Sequence, residues 1–97
     1  MTYTIERTGT FMTWFSTLDK SIANRILARL DRVSNGNFGD HKIFGDVVEL
    51  RFTFGDGIRL YFTIRKNTIV LLLNGGNKSS QDEDFKKARA MIDLLEG

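Results

Sequence analysis

Val47-Val48-Glu49-Leu50-Arg51-Phe52-Thr53-Phe54-Gly55-Asp56-Gly57-Ile58-Arg59-Leu60-Tyr61-Phe62-Thr63-Ile64-Arg65 decides the fold. Side chains alternate between the faces of a strand, so Val48, Leu50, Phe52 and Phe54 point one way while Val47, Glu49, Arg51 and Thr53 point the other. After Gly55-Asp56-Gly57 the pattern returns, with Ile58, Leu60, Phe62 and Ile64 inward and Arg59, Tyr61, Thr63 and Arg65 outward. A glycine-rich turn between two alternating runs predicts an antiparallel hairpin.

Toward the C-terminus, Lys66-Asn67 makes the next turn and Thr68–Leu73 is apolar on both sides, as expected of a central strand. Ser80-Gln81-Asp82-Glu83 has the form of a capping box, and Phe85, Ala88, Ile92 and Leu95 give one stripe of a last helix. Toward the N-terminus the period is helical. Ile22, Ile26, Leu27, Leu30 and Val33 line a helix that begins near Asp19 and ends at Ser34-Asn35-Gly36. Phe11, Trp14, Phe15 and Leu18 line a shorter one after a Thr10 cap, and Tyr3-Thr4-Ile5 is a first strand. The expectation is an α+β domain over residues 1–97 in the order β-α-α-β-β-β-α, an antiparallel meander sheet against a helical hairpin and a C-terminal helix.

A chain of 97 residues has room for one hydrophobic core. No apolar run approaches the roughly 20 residues that span a bilayer. The N-terminus lacks the pattern of a signal peptide, and there is no cysteine to build a disulfide or thiolate metal site, so a cytoplasmic address is expected. The net charge is only +2, but it is unevenly placed. Residues 20–66 hold nine basic against five acidic side chains, a net +4, whereas residues 82–97 hold three against five, a net −2. The positive field sits mid-chain, where a polyanion would be drawn.

Three groups of residues invite a chemical reading. Period-two geometry puts Glu49, Arg51, Arg59 and Tyr61 on one outer face of the hairpin. Two guanidiniums there suit a phosphate and the charge that builds on it during strand cleavage, and a tyrosine ring suits a base. Glu49 could accept a proton or orient an arginine. The same alternation equally describes the wet side of an ordinary sheet with a cross-strand ion pair. The second group is Asn74-Gly75-Gly76-Asn77-Lys78-Ser79-Ser80-Gln81, read as a glycine turn at a helix N-terminus: either a phosphate cradle or a plain capped turn. It is not a nucleotide-binding loop of the Gly-x-x-x-x-Gly-Lys type, because Asn77 and Leu72 stand where the glycines are required. The third group, Arg25, Arg29 and Arg32, forms a basic stripe suited to RNA or an acidic partner, or simply a solvated helix face. His41 stands alone in a polar loop, too little for a two-imidazole mechanism, and no metal-ligand spacing occurs.

Val48-Glu49-Leu50-Arg51, Gly57-Ile58-Arg59-Leu60-Tyr61-Phe62 and Leu72-Leu73-Asn74-Gly75-Gly76-Asn77-Lys78-Ser79-Ser80-Gln81-Asp82-Glu83-Asp84-Phe85-Lys86-Lys87-Ala88 resemble the successive motifs of the phage-type, HigB-like killer proteins of the RelE/ParE superfamily. The resemblance implies the toxin of a type II toxin–antitoxin pair, a metal-independent endoribonuclease that cuts mRNA on the ribosome. It implies a small helix-turn-helix antitoxin as partner and no cofactor. Carried over by position, Arg59 looks like the active-site arginine of the middle strand, with Arg51 and Lys78 as basic residues of the flanking strands and Tyr61 where the branch often has tyrosine. Glu49, Arg65 and Lys66 are expected at the RNA, and Arg25, Arg29 and Arg32 at the antitoxin. Gly55-Asp56-Gly57-Ile58 departs from the family's Gly-Pro-Gly-Tyr turn. Two other readings stay open, a ParE-like inhibitor of DNA gyrase and an inactive antitoxin-binding module.

Overall fold

The computed structural model describes residues 2–96. The α+β class holds, with one strand more than the sequence suggested. The elements run β1 (Thr4–Arg7), α1 (Gly9–Phe15), α2 (Lys20–Ser34), β2 (His41–Phe44), β3 (Val47–Arg51), β4 (Arg59–Arg65), β5 (Ile69–Gly76) and α3 (Gln81–Glu96). The strands form one sheet in the order β1-β5-β4-β3-β2. β2 to β5 are the antiparallel meander, but β1 lies parallel to β5, so the sheet is mixed rather than purely antiparallel. That pairing follows from connectivity: α1 and α2 carry the chain from one edge of the sheet to the other, and β5 is left without a partner on one side.

Local chemistry shifts several boundaries. α1 is capped by Thr8 rather than Thr10; its Oγ1 accepts from Phe11 N at 3.1 Å and donates toward Leu72 O and Leu73 O, both at 2.9 Å. One hydroxyl thus fixes the helix start and ties it to the sheet. The expected polar loop at His41 is instead the edge strand β2, closed by a turn at Gly45. β3 stops at Arg51, not Phe54. Residues 52–58 form a folded loop, closed by Phe52 N donating to Ile58 O at 3.0 Å, with Gly55, Asp56 and Gly57 all at positive φ. Lys66 and Asn67, at φ 53° and 61°, make the expected two-residue turn.

Both faces of the sheet are covered. Val48, Leu50, Leu60, Phe62, Val70 and Leu72 pack with Phe11, Ile26, Leu30 and Val33 beneath α1 and α2. On the other side Val47, Tyr61 and Leu73 pack with Ala88 and Ile92 of α3. A bulge in β5, where Tyr61 pairs with Asn74 but Phe62 with Leu72, turns Leu73 and Asn74 both toward α3. The outer face of the hairpin is therefore a second core. The helical stripe of Phe85, Ala88 and Ile92 needs apolar surface, and one side of the sheet is already taken by α2.

Candidate functional site

Arg51 and Arg59 face each other across β3 and β4, and Arg59 pairs on its other side with Gly76 of β5. Neighbouring strands lie about 4.8 Å apart, so three adjacent strands present one end of the sheet as a single row, with Lys78 two residues beyond it. The loop 52–58 closes the row from above. Lys78 N donates to Asp56 O at 3.3 Å, and a Cβ built on Gly57 would lie 3.2 Å from Lys78 Cβ and 3.5 Å from Arg59 Nη1. Gly57, at φ 76°, therefore stands where a side chain would separate the two cations.

Arg59 is under-satisfied. Its Nη1 donates only to the carbonyls of Gly57 and Ile58, at 3.2 and 3.3 Å, and its buried Nε has no partner. No carboxylate pairs with it among the described residues. A buried donor without a partner costs stability, and the half-buried guanidinium has no carboxylate beside it to neutralise its charge. Arg51 differs: its Nε donates to Glu49 Oε1 at 2.8 Å, leaving its two terminal nitrogens free.

Glu49 is fully buried, which corrects its expected place on a wet surface. Its Oε2 accepts from Tyr61 OH at 3.1 Å and from Gln81 Nε2 at 2.9 Å. Burial alone would push the carboxyl pKa up. Hydrogen bonds from Arg51, Gln81 and Tyr61, with the Arg51 charge, outweigh that and hold it below the ordinary value. Tyr61 is also fully buried, so its ring is not free to stack on a base. Burial first, then the charge and hydrogen bond of Glu49, pushes its pKa well up, and the hydroxyl stays protonated as a donor. The pair is thus a fixed support for Arg51.

The remaining expected residues separate from this row. Arg65 and Lys66 lie at the other end of β4, about 20 Å from Arg59 at strand rise. Arg29 is tied into the fold: Nε, Nη1 and Nη2 donate to the carbonyls of Phe38, Arg51 and Asp40 at 2.9, 3.1 and 2.7 Å. Arg25 stacks over Phe54 at 3.8 Å, and with Arg29, Arg32 and Arg51 it lines a basic hollow. His41 pairs with Leu50 and packs edge-on against Phe38, on the α2 side of the sheet and away from Glu49.

Gly75 and Gly76 are not a turn but the end of β5. A Cβ on Gly75 would meet the Trp14 ring at 2.4 Å, and one on Gly76 would meet Asp84 Oδ2 at 1.8 Å. Close approach requires both glycines. The capping box forms one turn earlier than expected, around a 3-10 turn, Lys78–Ser80, that leads into α3: Asn77 Oδ1 accepts from Ser79 N and Ser80 N, while Ser80 Oγ accepts from Asn77 N and donates to Asp84. With Asp82, Glu83 and Asp84 in its first turn, the α3 start already carries its own anions, which fits the capped-turn reading. Gln81 is the site residue that sequence reasoning passed over, because it looked like one more position of a cap.

A family model described as phage-derived Gp49-like protein matches residues 13–95. The chain belongs to that family. An uncharacterized protein of Haemophilus influenzae is 43% identical over 97 residues, covering 98% of each chain. Among solved structures, an arginine-to-alanine double mutant of the E. coli toxin RelE in its free state superposes with a TM-score of 0.80 at 18% identity, covering 95% of this chain and 99% of that one. The toxin–antitoxin complex RelBE2 of Mycobacterium tuberculosis gives 0.64 at 19% identity, with 80% and 100% coverage. The intact E. coli RelBE complex gives 0.65 at 14% identity, with 77% and 95%. The fold of this Gp49-like chain is therefore the RelE fold, as the motif resemblance implied.

Proposed function

We propose that this Gp49-like protein is the toxin of a toxin–antitoxin pair and an endoribonuclease that cuts mRNA on the ribosome. The observation that carries the reading is Arg59, a guanidinium without a carboxylate, set opposite Arg51 and beside Lys78. In the proposed reaction the ribose 2′-hydroxyl attacks the adjacent phosphorus, the P–O5′ bond breaks, and a cyclic phosphate and a 5′-hydroxyl end result. Arg59 and the free edge of Arg51 bind the phosphoryl oxygens as negative charge builds, with Lys78 as a third cation. Glu49 and Tyr61 take no proton in this scheme; they are buried and act through Arg51. Proton transfers fall to water or to ribosomal groups, and the ribosome aligns the attacking hydroxyl.

The partner in this reading is an antitoxin, with a helix-turn-helix protein as the expected type. The exposed Arg25 and Arg32 offer an acidic antitoxin segment a seat beside Arg51, so a segment bound there would also cover the RNA site. Induction in cells, with leucine and thymidine incorporation followed in parallel, tests the activity. Early loss of protein synthesis, with 5′-hydroxyl ends mapped inside messages, is the expected result. Early loss of DNA synthesis with intact messages would replace this reading by gyrase inhibition, and no growth defect would leave only an antitoxin-binding module.

A further inference from the structure

We infer that Gln81 is a positioning residue of this site: its side-chain amide holds Glu49 in the orientation that aims Arg51 at the substrate phosphate. The inference rests on the reading of Arg51 and Arg59 as the phosphate-binding pair. A carboxylate with one partner can rotate about its last torsion, and an arginine held only by that carboxylate moves with it. Glu49 is denied this freedom because its second oxygen accepts twice, from Tyr61 OH at 3.1 Å and from Gln81 Nε2 at 2.9 Å. Tyr61 is itself held by the same residue, its hydroxyl lying 3.4 Å from Gln81 O. One residue at the start of α3 thus contacts two members of the network from a position 32 residues along the chain from Glu49. Helix capping does not account for that placement, because Asn77 and Ser80 already satisfy the turn before α3. An ordinary first-turn glutamine would face solvent; this one turns beneath the helix toward a buried charge.

A double-mutant cycle separates positioning from general support. Gln81→Met keeps the length and removes the donor; Arg51→Ala removes the group that Gln81 is held to act through. Turnover of ribosome-bound mRNA should fall about tenfold in Gln81→Met with KM nearly unchanged, and should fall no further when that change is added to Arg51→Ala. A tenfold loss in both backgrounds overturns the inference. The acid limb of activity should also move to higher pH, because a Glu49 stripped of one donor protonates more readily. A second readout does not need activity: the Nε–H resonance of Arg51 should be sharp and slow to exchange in the wild type, where it donates to Glu49, and should broaden in Gln81→Met. If the wild type cuts no RNA, the functional reading fails by itself, and an unchanged Arg51 resonance still overturns the inference while its loss supports it. Gln81→Asn, too short to reach Glu49, serves in the same experiments if the methionine variant does not fold.

Discussion

The two faces of the sheet are built on different principles. Beneath α1 and α2 every buried sheet residue is apolar, from Val48 and Leu50 to Phe62 and Leu72. Beneath α3 the apolar residues Val47, Leu73, Ala88 and Ile92 surround a buried carboxylate, a buried phenol and the buried Asn74. Apolar burial contributes about 1.5–3 kcal/mol per large side chain, whereas an ion pair in the same volume contributes little net stability. The first face is held by apolar packing alone, whereas the second combines an apolar cluster with a buried carboxylate that bonds Arg51. The apolar face and the face that carries the Glu49–Arg51 network thus lie on opposite sides of a layer one residue thick.

Substitutions on each face should therefore differ in what they damage. Leu50→Ala, on the apolar face, should lower unfolding stability by about 4 kcal/mol by denaturant titration, with the activity of each folded molecule retained. A variant that kept stability but lost cleavage would break the comparison. Arg59→Ala should cut RNA cleavage by about 100-fold, close to 3 kcal/mol of transition-state stabilisation, and leave the melting temperature within a few degrees. Undiminished growth arrest from that variant would remove Arg59 from the site. Glu49→Gln keeps the shape and removes the charge, and should cost roughly 2 kcal/mol of stability as well as activity. The pH dependence has a definite sign. Because the folded carboxyl is held below its unfolded value of about 4.3, the advantage of the wild type over Glu49→Gln should be complete above that value and drain away as pH falls through the lowered pKa. An advantage that persists in strong acid would show that packing, not charge, underlies it. Arg65→Ala, at the far end of β4, should change both stability and cleavage by no more than about 0.5 kcal/mol; a large cleavage defect would extend the RNA surface along the whole strand.

Much of the apolar face was legible in sequence because periodicity reports it directly. Val48, Leu50, Leu60 and Phe62 alternate with polar residues, and Ile26, Leu30 and Val33 recur at helical spacing. The other face misled for the same reason. Glu49, Arg51, Arg59, Tyr61 and Thr63 alternate like a wet surface, yet Glu49, Tyr61 and Thr63 are buried. A hint was present in Phe85, Ala88 and Ile92, a stripe that had to find a sheet face once α2 occupied the other. β2 escaped because four residues with one polar flank and only Ile43 and Phe44 apolar carry too short a pattern to distinguish from a loop. The glycines were located correctly but explained wrongly, since the close approach comes from Trp14, 61 positions before Gly75, and Asp84, eight after Gly76.

Short-range periodicity and turn chemistry carried the α+β class, the helices, the hairpin and the shared face of Arg51 and Arg59; the register that sets those two arginines opposite each other came from the folded loop 52–58. Tertiary structure alone decided which charges are free. Arg29 is consumed by three carbonyls, Arg51 is half-engaged by Glu49, and Arg59 has no carboxylate partner among the described residues. Those three states of one residue type arise from contacts between segments distant in the chain, and a local pattern of residues carries no record of them.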